Sequence, residues 1–91
     1  MKYYKHEIDC ENYELGFIFQ EIDWEKDLIV RQITACGDKY RWGEWTGNSL
    51  VGFICDQKPS GFHPPLSQDE EIPQTEFEAV WNREGPRAAP R

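Results

Sequence analysis

The sequence predicts a small α+β domain, in which an antiparallel meander sheet of about four strands carries one C-terminal helix packed on one face. Three observations predict it. Apolar and polar side chains alternate through the first half, short polar turns separate these runs, and one helical apolar stripe comes last. Strands followed by a helix are typical of α+β domains, and 91 residues suffice for one domain.

The first predicted strands follow from side-chain periodicity. Residues 2–9 alternate with the period of two expected of a half-buried strand. Residues 15–22, LGFIFQEI, are apolar on both faces, which indicates a central strand covered from two sides; Phe17 and Phe19 share one face. Further strands are predicted at 28–36, 40–46 and, more briefly, 50–55.

Two tryptophans lie three residues apart in the predicted fourth strand. Trp42 and Trp45 differ by an odd number, so on a regular strand they point to opposite faces. A bulge at Gly43 would place them on the same face. We expect Trp42 to point inward and Trp45 outward. Trp45 is then either a packed or partly covered ring or, where exposed, an anchor for a protein interface.

The C-terminal part contains the one predicted helix. Residues 58–68, with three prolines, form a predicted loop. In the helix that follows, Thr75 and Glu78 have the spacing of a capping box. Its apolar stripe consists of Phe77, Val80 and Trp81. We expect this stripe to cover the sheet face that carries Phe17.

The predicted domain covers residues 1–82, and residues 83–91 form a predicted disordered tail with almost nothing bulky and apolar to bury. No apolar run reaches the roughly 20 residues of a membrane span, and the N-terminus lacks the apolar core of a signal peptide. We therefore expect a cytoplasmic protein of bacterial type. Its three cysteines, Cys10, Cys36 and Cys55, are far apart and expected to be reduced structural thiols.

The net charge of −7 restricts the class of partner. An acidic surface repels phosphate backbones and anionic lipids, so neither nucleic acid nor membrane is expected to bind. The same charge suits a basic protein partner, whose encounter it would accelerate. The sequence gives no indication of the oligomeric state.

No residue pattern points to catalysis, a cofactor or a metal. His6 and Cys10 are four apart, whereas structural zinc usually takes two close pairs of ligands. Cys36 has no histidine placed beside it by the sequence to activate a thiolate. The acids Asp69, Glu70 and Glu71 precede the helix, where their negative charge is attracted to the helix N-terminus. With Trp45, they are the candidate partner-binding residues.

Two blocks resemble a family of short bacterial proteins classed as a domain of unknown function. They are QEIDWEKDLIVRQI at 20–33 and EEIPQTEFEAVW at 70–81, matching that family's "E-[IL]-D…V-R" and "EFEAVW" patterns. The resemblance implies an acidic turn, a β run and an amphipathic helix, and carries no activity. The tryptophan-rich YRWGEW at 40–45 is not part of the family pattern.

These features favour a non-enzymatic protein-binding module, an immunity-type or inhibitor-type partner. The alternative is a small enzyme or small-ligand-binding domain with a pocket under the 58–68 loop. A nucleic-acid mimic would need carboxylates in regular rows, and the mixed charges between Lys2 and Lys39 argue against it.

Overall fold

A computed structural model describes residues 1–11, 14–55 and 57–87. Its elements are β1 Lys2–Asp9, β2 Leu15–Asp23, β3 Leu28–Cys36, β4 Lys39–Thr46, β5 Ser49–Gly52, β6 Glu71–Ile72 and α1 Gln74–Glu84. The strands form one antiparallel sheet in the order β5-β4-β3-β2-β1-β6. The α+β class is confirmed, but the sheet has six strands rather than about four. The strand β6 is only two residues long, too short for side-chain alternation to be seen in the sequence.

One bulge interrupts the pairing of the central strands. Glu21 pairs with Arg31, but Ile22 pairs with Ile29, so Val30 is an extra residue on β3. This shift moves the apolar side chain of Ile29 to the sheet face opposite α1, where it joins Ile22 in a second core. The bulge therefore lets β3 place an isoleucine in each core, Ile33 on the helix side and Ile29 on the opposite side.

Helix α1 packs where the sequence predicted. Its buried residues Phe77, Val80 and Trp81 lie against Phe19 and Ile33, with Phe17 and Trp42 at the margin of the same cluster. Trp42 meets Trp81 edge to face, with ring centroids 6.4 Å apart. Trp42 is thus turned towards the helix-side core, as expected from its position in the strand.

The opposite face of the sheet is covered by the irregular chain that follows β5. Ile54 is buried there with Tyr4, Ile22 and Ile29. Partly buried side chains from the same segment and from β4 complete this second core: Trp45, Cys55, Phe62 and Leu66. A sheet covered on both faces explains why β2 is apolar on both sides.

The start of α1 differs from the predicted capping box. Pro73 is the N-cap residue and no side chain caps the helix there. Glu78 instead accepts a hydrogen bond from Arg31, because that buried cation lies under the helix. A capping box does exist just upstream, between Ser67 and Glu70, in the short 3-10 turn Gln68–Glu70.

The folded part continues beyond residue 82. Helix α1 extends to Glu84, and the N–H of Gly85, which is buried, donates to the Trp81 carbonyl at 2.8 Å. The end of the predicted tail, residues 88–91, lies outside the described residues. No helix in the described part of the chain is long and apolar enough to cross a membrane.

The expectation of three reduced cysteines is wrong for two of them. Cys10 and Cys36 form a disulfide, with Cα atoms 5.9 Å apart although 26 positions separate them in sequence. The chain leaving β1 passes over Gly16, which pairs with Cys36. A Cβ on Gly16 would lie 2.3 Å from the Cys10 sulfur, so glycine makes the close approach feasible. Cys55 is a free thiol.

Candidate functional site

The outermost strand β5 presents uncharged apolar side chains to solvent. Leu50 is 42% exposed, Val51 45% and Phe53, just after the strand, 51%. Residues 46–54 contain no charged side chain. We call Leu50, Val51 and Phe53 the β5 surface. Leu50 and Val51 lie on opposite faces of the strand, so the edge exposes apolar side chains on both, which makes it a candidate interaction site.

Two glycines shape this edge. Gly47 adopts φ +62° in the two-residue turn that joins β4 to β5, which suits a tight hairpin. Gly52 adopts φ +82°, and a Cβ there would lie 2.2 Å from the Trp42 carbonyl oxygen. The chain therefore turns at Gly52, Phe53 donates its N–H to that oxygen at 3.0 Å, and Ile54 enters the second core. Strand β5 ends after four residues, at the margin of the sheet.

The opposite edge of the sheet is protected by charge. Strand β6 pairs with β1 only at Tyr3 and Tyr4. Beyond that short pairing, the outer strand β1 carries Lys5, Glu7 and Asp9. Charged side chains discourage another chain from pairing with an edge. The contrast singles out β5 as the edge suited to an additional chain.

Trp45 borders a cleft beside β5. It pairs with Leu50 in the strand register, on the same face. The cleft has a volume of about 280 Å³, with Trp45, Ile29 and Ile54 among its apolar lining and Lys26 and Lys58 among its charged lining. It lies between the sheet and the segment leading into the predicted 58–68 loop.

Trp45 has the orientation expected from strand parity, but its face of the sheet is not open to solvent. It does lie on the sheet face opposite Trp42, because the β3–β4 register is continuous and Gly43 pairs with Gln32. That face is covered by the chain after β5, however, so Trp45 is half-buried rather than simply outward. Gly43 forms no bulge: a Cβ there would lie 2.2 Å from the Phe53 carbonyl oxygen, which explains the glycine sterically.

A hydrogen-bonded clamp holds one wall of the cleft. The Asp27 carboxylate accepts the Ser60 backbone N–H at 2.9 Å and the Ser60 hydroxyl at 2.5 Å. These hydrogen bonds lower the pKa of Asp27 below its ordinary value because they stabilise the ionised form. The clamp connects the β2–β3 turn to the 3-10 turn Pro59–Gly61.

The predicted acidic cluster does not join Trp45. Glu70 accepts hydrogen bonds from the Ser67 N–H and hydroxyl, each at 3.2 Å. Glu71 lies in β6 and forms an ion pair with Lys2 at 3.3 Å, while Asp69 is exposed. Because β6 and β5 are opposite edges of the sheet, the acids lie away from Trp45.

A charged cluster beneath α1 has a structural role. Arg31 donates to both oxygens of Glu21 at 2.8 and 2.9 Å and to Glu78 at 2.6 Å. Its guanidinium lies 4.9 Å from the Phe77 ring centroid and 5.0 Å from a ring centroid of Trp81. The cation thus connects β2, β3 and α1 from a position that is only 15% exposed.

The cluster shifts the pKa values of its ionisable groups, among them Glu21 and Tyr3. Burial would raise the pKa of Glu21, but hydrogen bonds from Arg31 and Tyr3 outweigh it and lower that pKa. Burial and the hydrogen bond to Glu21 raise the pKa of Tyr3 to about 12. The shifts widen the pH range over which Glu21 stays ionised and Tyr3 keeps its proton, as expected of a structural cluster.

A polar chain crosses the other face beneath the irregular segment. His6 Nε2 lies 3.1 Å from Gln20 Oε1, Gln20 Nε2 donates to Gln32 Oε1 at 2.9 Å, and Gln32 Nε2 donates to Thr34 Oγ1 at 3.1 Å. The Cys55 N–H also donates to Gln32 Oε1, at 3.3 Å. Buried glutamines are tolerated here because each amide is hydrogen-bonded.

The residues weighed for metal or thiol chemistry are separated or occupied. Cys10 and Cys36 are bonded to each other, and His6 contacts Gln20. His63 is exposed. Across the described ranges, no three His, Cys, Asp or Glu side chains are grouped so that they could hold a metal ion.

Comparison of the chain with protein-family models, with curated proteins and with solved structures found no match. The resemblance to short bacterial proteins therefore stays a prediction. Function has to be inferred from the β5 surface, the cleft and the charge.

The β5 surface was not predicted from the sequence. The run LVGFIC at 50–55 predicted only a short strand, and Leu50, Val51 and Phe53 were not among the candidate site residues. The usable signal was an uncharged apolar run directly after a two-residue Gly-Asn turn. If the chain leaves the sheet after such a run, the run forms an edge strand that is paired on one side.

Proposed function

We propose that this protein is a non-enzymatic binding module that docks on another protein through the β5 surface, in the manner of an immunity or inhibitor protein. The observation that carries the proposal is the uncharged sheet edge with Leu50, Val51 and Phe53 exposed together. Burying such side chains at an interface supplies affinity without the desolvation of charge.

The partner is basic. With a net charge of −7, the chain attracts a positively charged protein at long range. Charge of this kind accelerates the encounter more than it tightens the complex. Affinity would come from the apolar edge and the long-range attraction from the net negative charge of the chain.

The setting of the protein is part of the proposal. Kinship with the short bacterial family would fit a small accessory protein of this kind. A cytoplasmic location, expected from the sequence, requires that the Cys10–Cys36 disulfide be reduced or only transiently formed there, because cytosolic thiols are kept reduced. A stable disulfide favours an oxidising compartment.

The proposal is tested by selecting a phage-displayed library of random short peptides on the immobilised protein. Wild type is compared with Val51→Lys, which places a charge on the edge, and with Asn82→Lys, which adds the same charge at an exposed position of α1. We expect enrichment of basic, apolar peptides on wild type and Asn82→Lys, and its loss on Val51→Lys. Equal enrichment on all three proteins would contradict binding through β5.

A second candidate function rests on the cleft beside Trp45. Its volume of about 280 Å³ lies near the lower end of small-ligand pockets, and its lining combines an aromatic wall with two lysines and the Asp27 carboxylate, which suits a small apolar molecule with a polar group. A fragment screen by protein-observed NMR tests it. Hits should shift the Trp45 indole and Ile29 methyl signals together; fragments that shift neither would remove the support for this candidate.

A further inference from the structure

We propose that the partner binds by strand addition, with an extended segment of alternating apolar and basic residues pairing its backbone with Leu50 at the open edge of β5. This inference rests on the proposed protein-binding function. It adds the mode of recognition and the residue pattern of the bound segment.

The alternation of hydrogen-bonded pairs along the hairpin shows which backbone N–H and C=O groups of β5 have no partner in β4. Thr46 and Ser49 flank the two-residue turn and form the first pair of the hairpin. In a two-residue hairpin this pair is hydrogen-bonded, and the next pair, Trp45 with Leu50, is not. The N–H and C=O of Leu50 therefore point away from β4. No described strand lies beyond β5 to receive them.

The neighbouring side chains determine what an added strand should carry. On the cleft face, Leu50 and Trp45 are adjacent, so the added residue beside Leu50 should be apolar. On the other face, Val51 pairs with Glu44, which is partly exposed. An added strand lies two strand spacings, about 10 Å, from β4. Lysine or arginine there can extend over Val51 towards the Glu44 carboxylate.

A second copy of this chain fits the edge less well. Its own segment 46–54 contains no lysine or arginine that could meet Glu44. Each copy also brings a net charge of −7, which opposes self-association. An extended segment from a different protein can place apolar residues beside Leu50 on the cleft face and basic residues towards Glu44 on the other face.

The test uses a capped synthetic peptide in which lysine and valine alternate, and a matched peptide in which glutamate replaces lysine. Two protein variants separate backbone from side chain. Leu50→Ala removes the side chain and keeps the N–H, whereas Leu50→Pro also removes the outward N–H, a change that an edge strand tolerates. Dissociation constants are measured by titration calorimetry, and circular dichroism checks that each variant folds.

We expect wild type to bind the lysine peptide and not the glutamate peptide. Leu50→Pro should weaken binding on the order of tenfold more than Leu50→Ala, because a backbone hydrogen bond is lost. Amide exchange gives a readout that needs no variant: the Leu50 N–H should become protected when the lysine peptide binds, while the Val51 N–H, already directed at β4, should change little.

The outcomes separate the two proposals. Equal effects of Leu50→Pro and Leu50→Ala, or an unprotected Leu50 amide in the complex, would overturn strand addition while leaving a protein-binding surface. Strand addition would also be overturned, and the binding surface kept, if the lysine peptide does not bind while library peptides bind in a way that depends on Val51. If neither library nor lysine peptides bind, both proposals fall. A dimer in sedimentation that is lost in Val51→Lys would assign the edge to a second copy.

Discussion

Arg31 shows how one side chain can determine where several others lie. It is bonded to Glu21 beside it in the sheet and to Glu78, which is 47 positions away. From the sequence, Glu78 was predicted to belong to a capping box, because its spacing from Thr75 is local. The partner it has in the fold depends on how α1 lies over β3, which no local pattern encodes. Breaking a largely buried ion pair leaves an uncompensated charge.

Arg31→Ala should therefore lower the free energy of unfolding by on the order of 3 kcal/mol, and Arg31→Ala combined with Glu21→Gln should recover part of the loss. Urea denaturation of the two variants and wild type measures both quantities. An additive double variant would show that the two side chains act independently.

The shifted pKa of Glu21 predicts how stability depends on acid. The folded-state pKa lies below the ordinary value of 4.5, so the unfolded chain takes up the proton first. The stabilisation is complete above pH 4.5 and is lost as the pH falls through the lower folded-state pKa. Glu21→Gln should flatten this part of the stability profile, measured by urea denaturation at stepped pH. An unchanged acid slope would contradict the assignment to Glu21.

Gly43 makes a residue-scale prediction about packing. Gly43→Ala should destabilise the fold by about 1–3 kcal/mol, because a Cβ would lie 2.2 Å from the Phe53 carbonyl oxygen. Gly61→Ala is the control: the nearest atom to its added Cβ is 3.8 Å away, so its effect should stay within about 0.5 kcal/mol. Thermal or urea unfolding compares them, and similar losses at both sites would refute the steric explanation.

At the scale of elements, the strands and the helix that were predicted correctly are those whose side chains show a local periodicity in the sequence. Alternation predicted β1 to β4, and a helical stripe predicted α1 and the face that it covers. Strand β6 was missed because two residues show no period. The disulfide was missed because the closeness of Cys10 and Cys36 depends on the path of the chain over Gly16. The coverage of Trp45 depends on an irregular segment, which periodicity does not describe.

The disulfide should contribute measurably to stability. For a closed loop of 26 positions the chain-entropy relation gives about 3.5 kcal/mol. The double variant Cys10→Ser, Cys36→Ser should lose about that amount, and a reductant should have no further effect on it. Cys55→Ser, which removes the free thiol, should keep the sensitivity to reductant. Denaturation with and without dithiothreitol makes the comparison.

At the scale of the whole molecule, the sheet is covered by a helix on one face and by irregular chain on the other. Its two edges stay uncovered, and they differ in charge. One edge is charged and the other is not. If long-range charge guides a basic partner to β5, the association rate for the lysine peptide should fall steeply with added salt while the dissociation rate changes little. Stopped-flow kinetics at increasing ionic strength measures both rates, and a salt-independent association rate would contradict guidance by charge.

The hydrogen bonds that run from Cys55 to His6 through Gln32 and Gln20 fix the orientation of each amide group between them. Gln32 Oε1 accepts from both the Cys55 N–H and Gln20 Nε2, so the Gln20 amide must present its oxygen to His6. An oxygen there needs a hydrogen on Nε2, so the neutral imidazole is held as the Nε2–H tautomer, leaving Nδ1 as the nitrogen with a free lone pair. A backbone amide in the segment after β5 thus selects, through two glutamines on the same face of the sheet, which nitrogen of His6 on β1 carries the free lone pair.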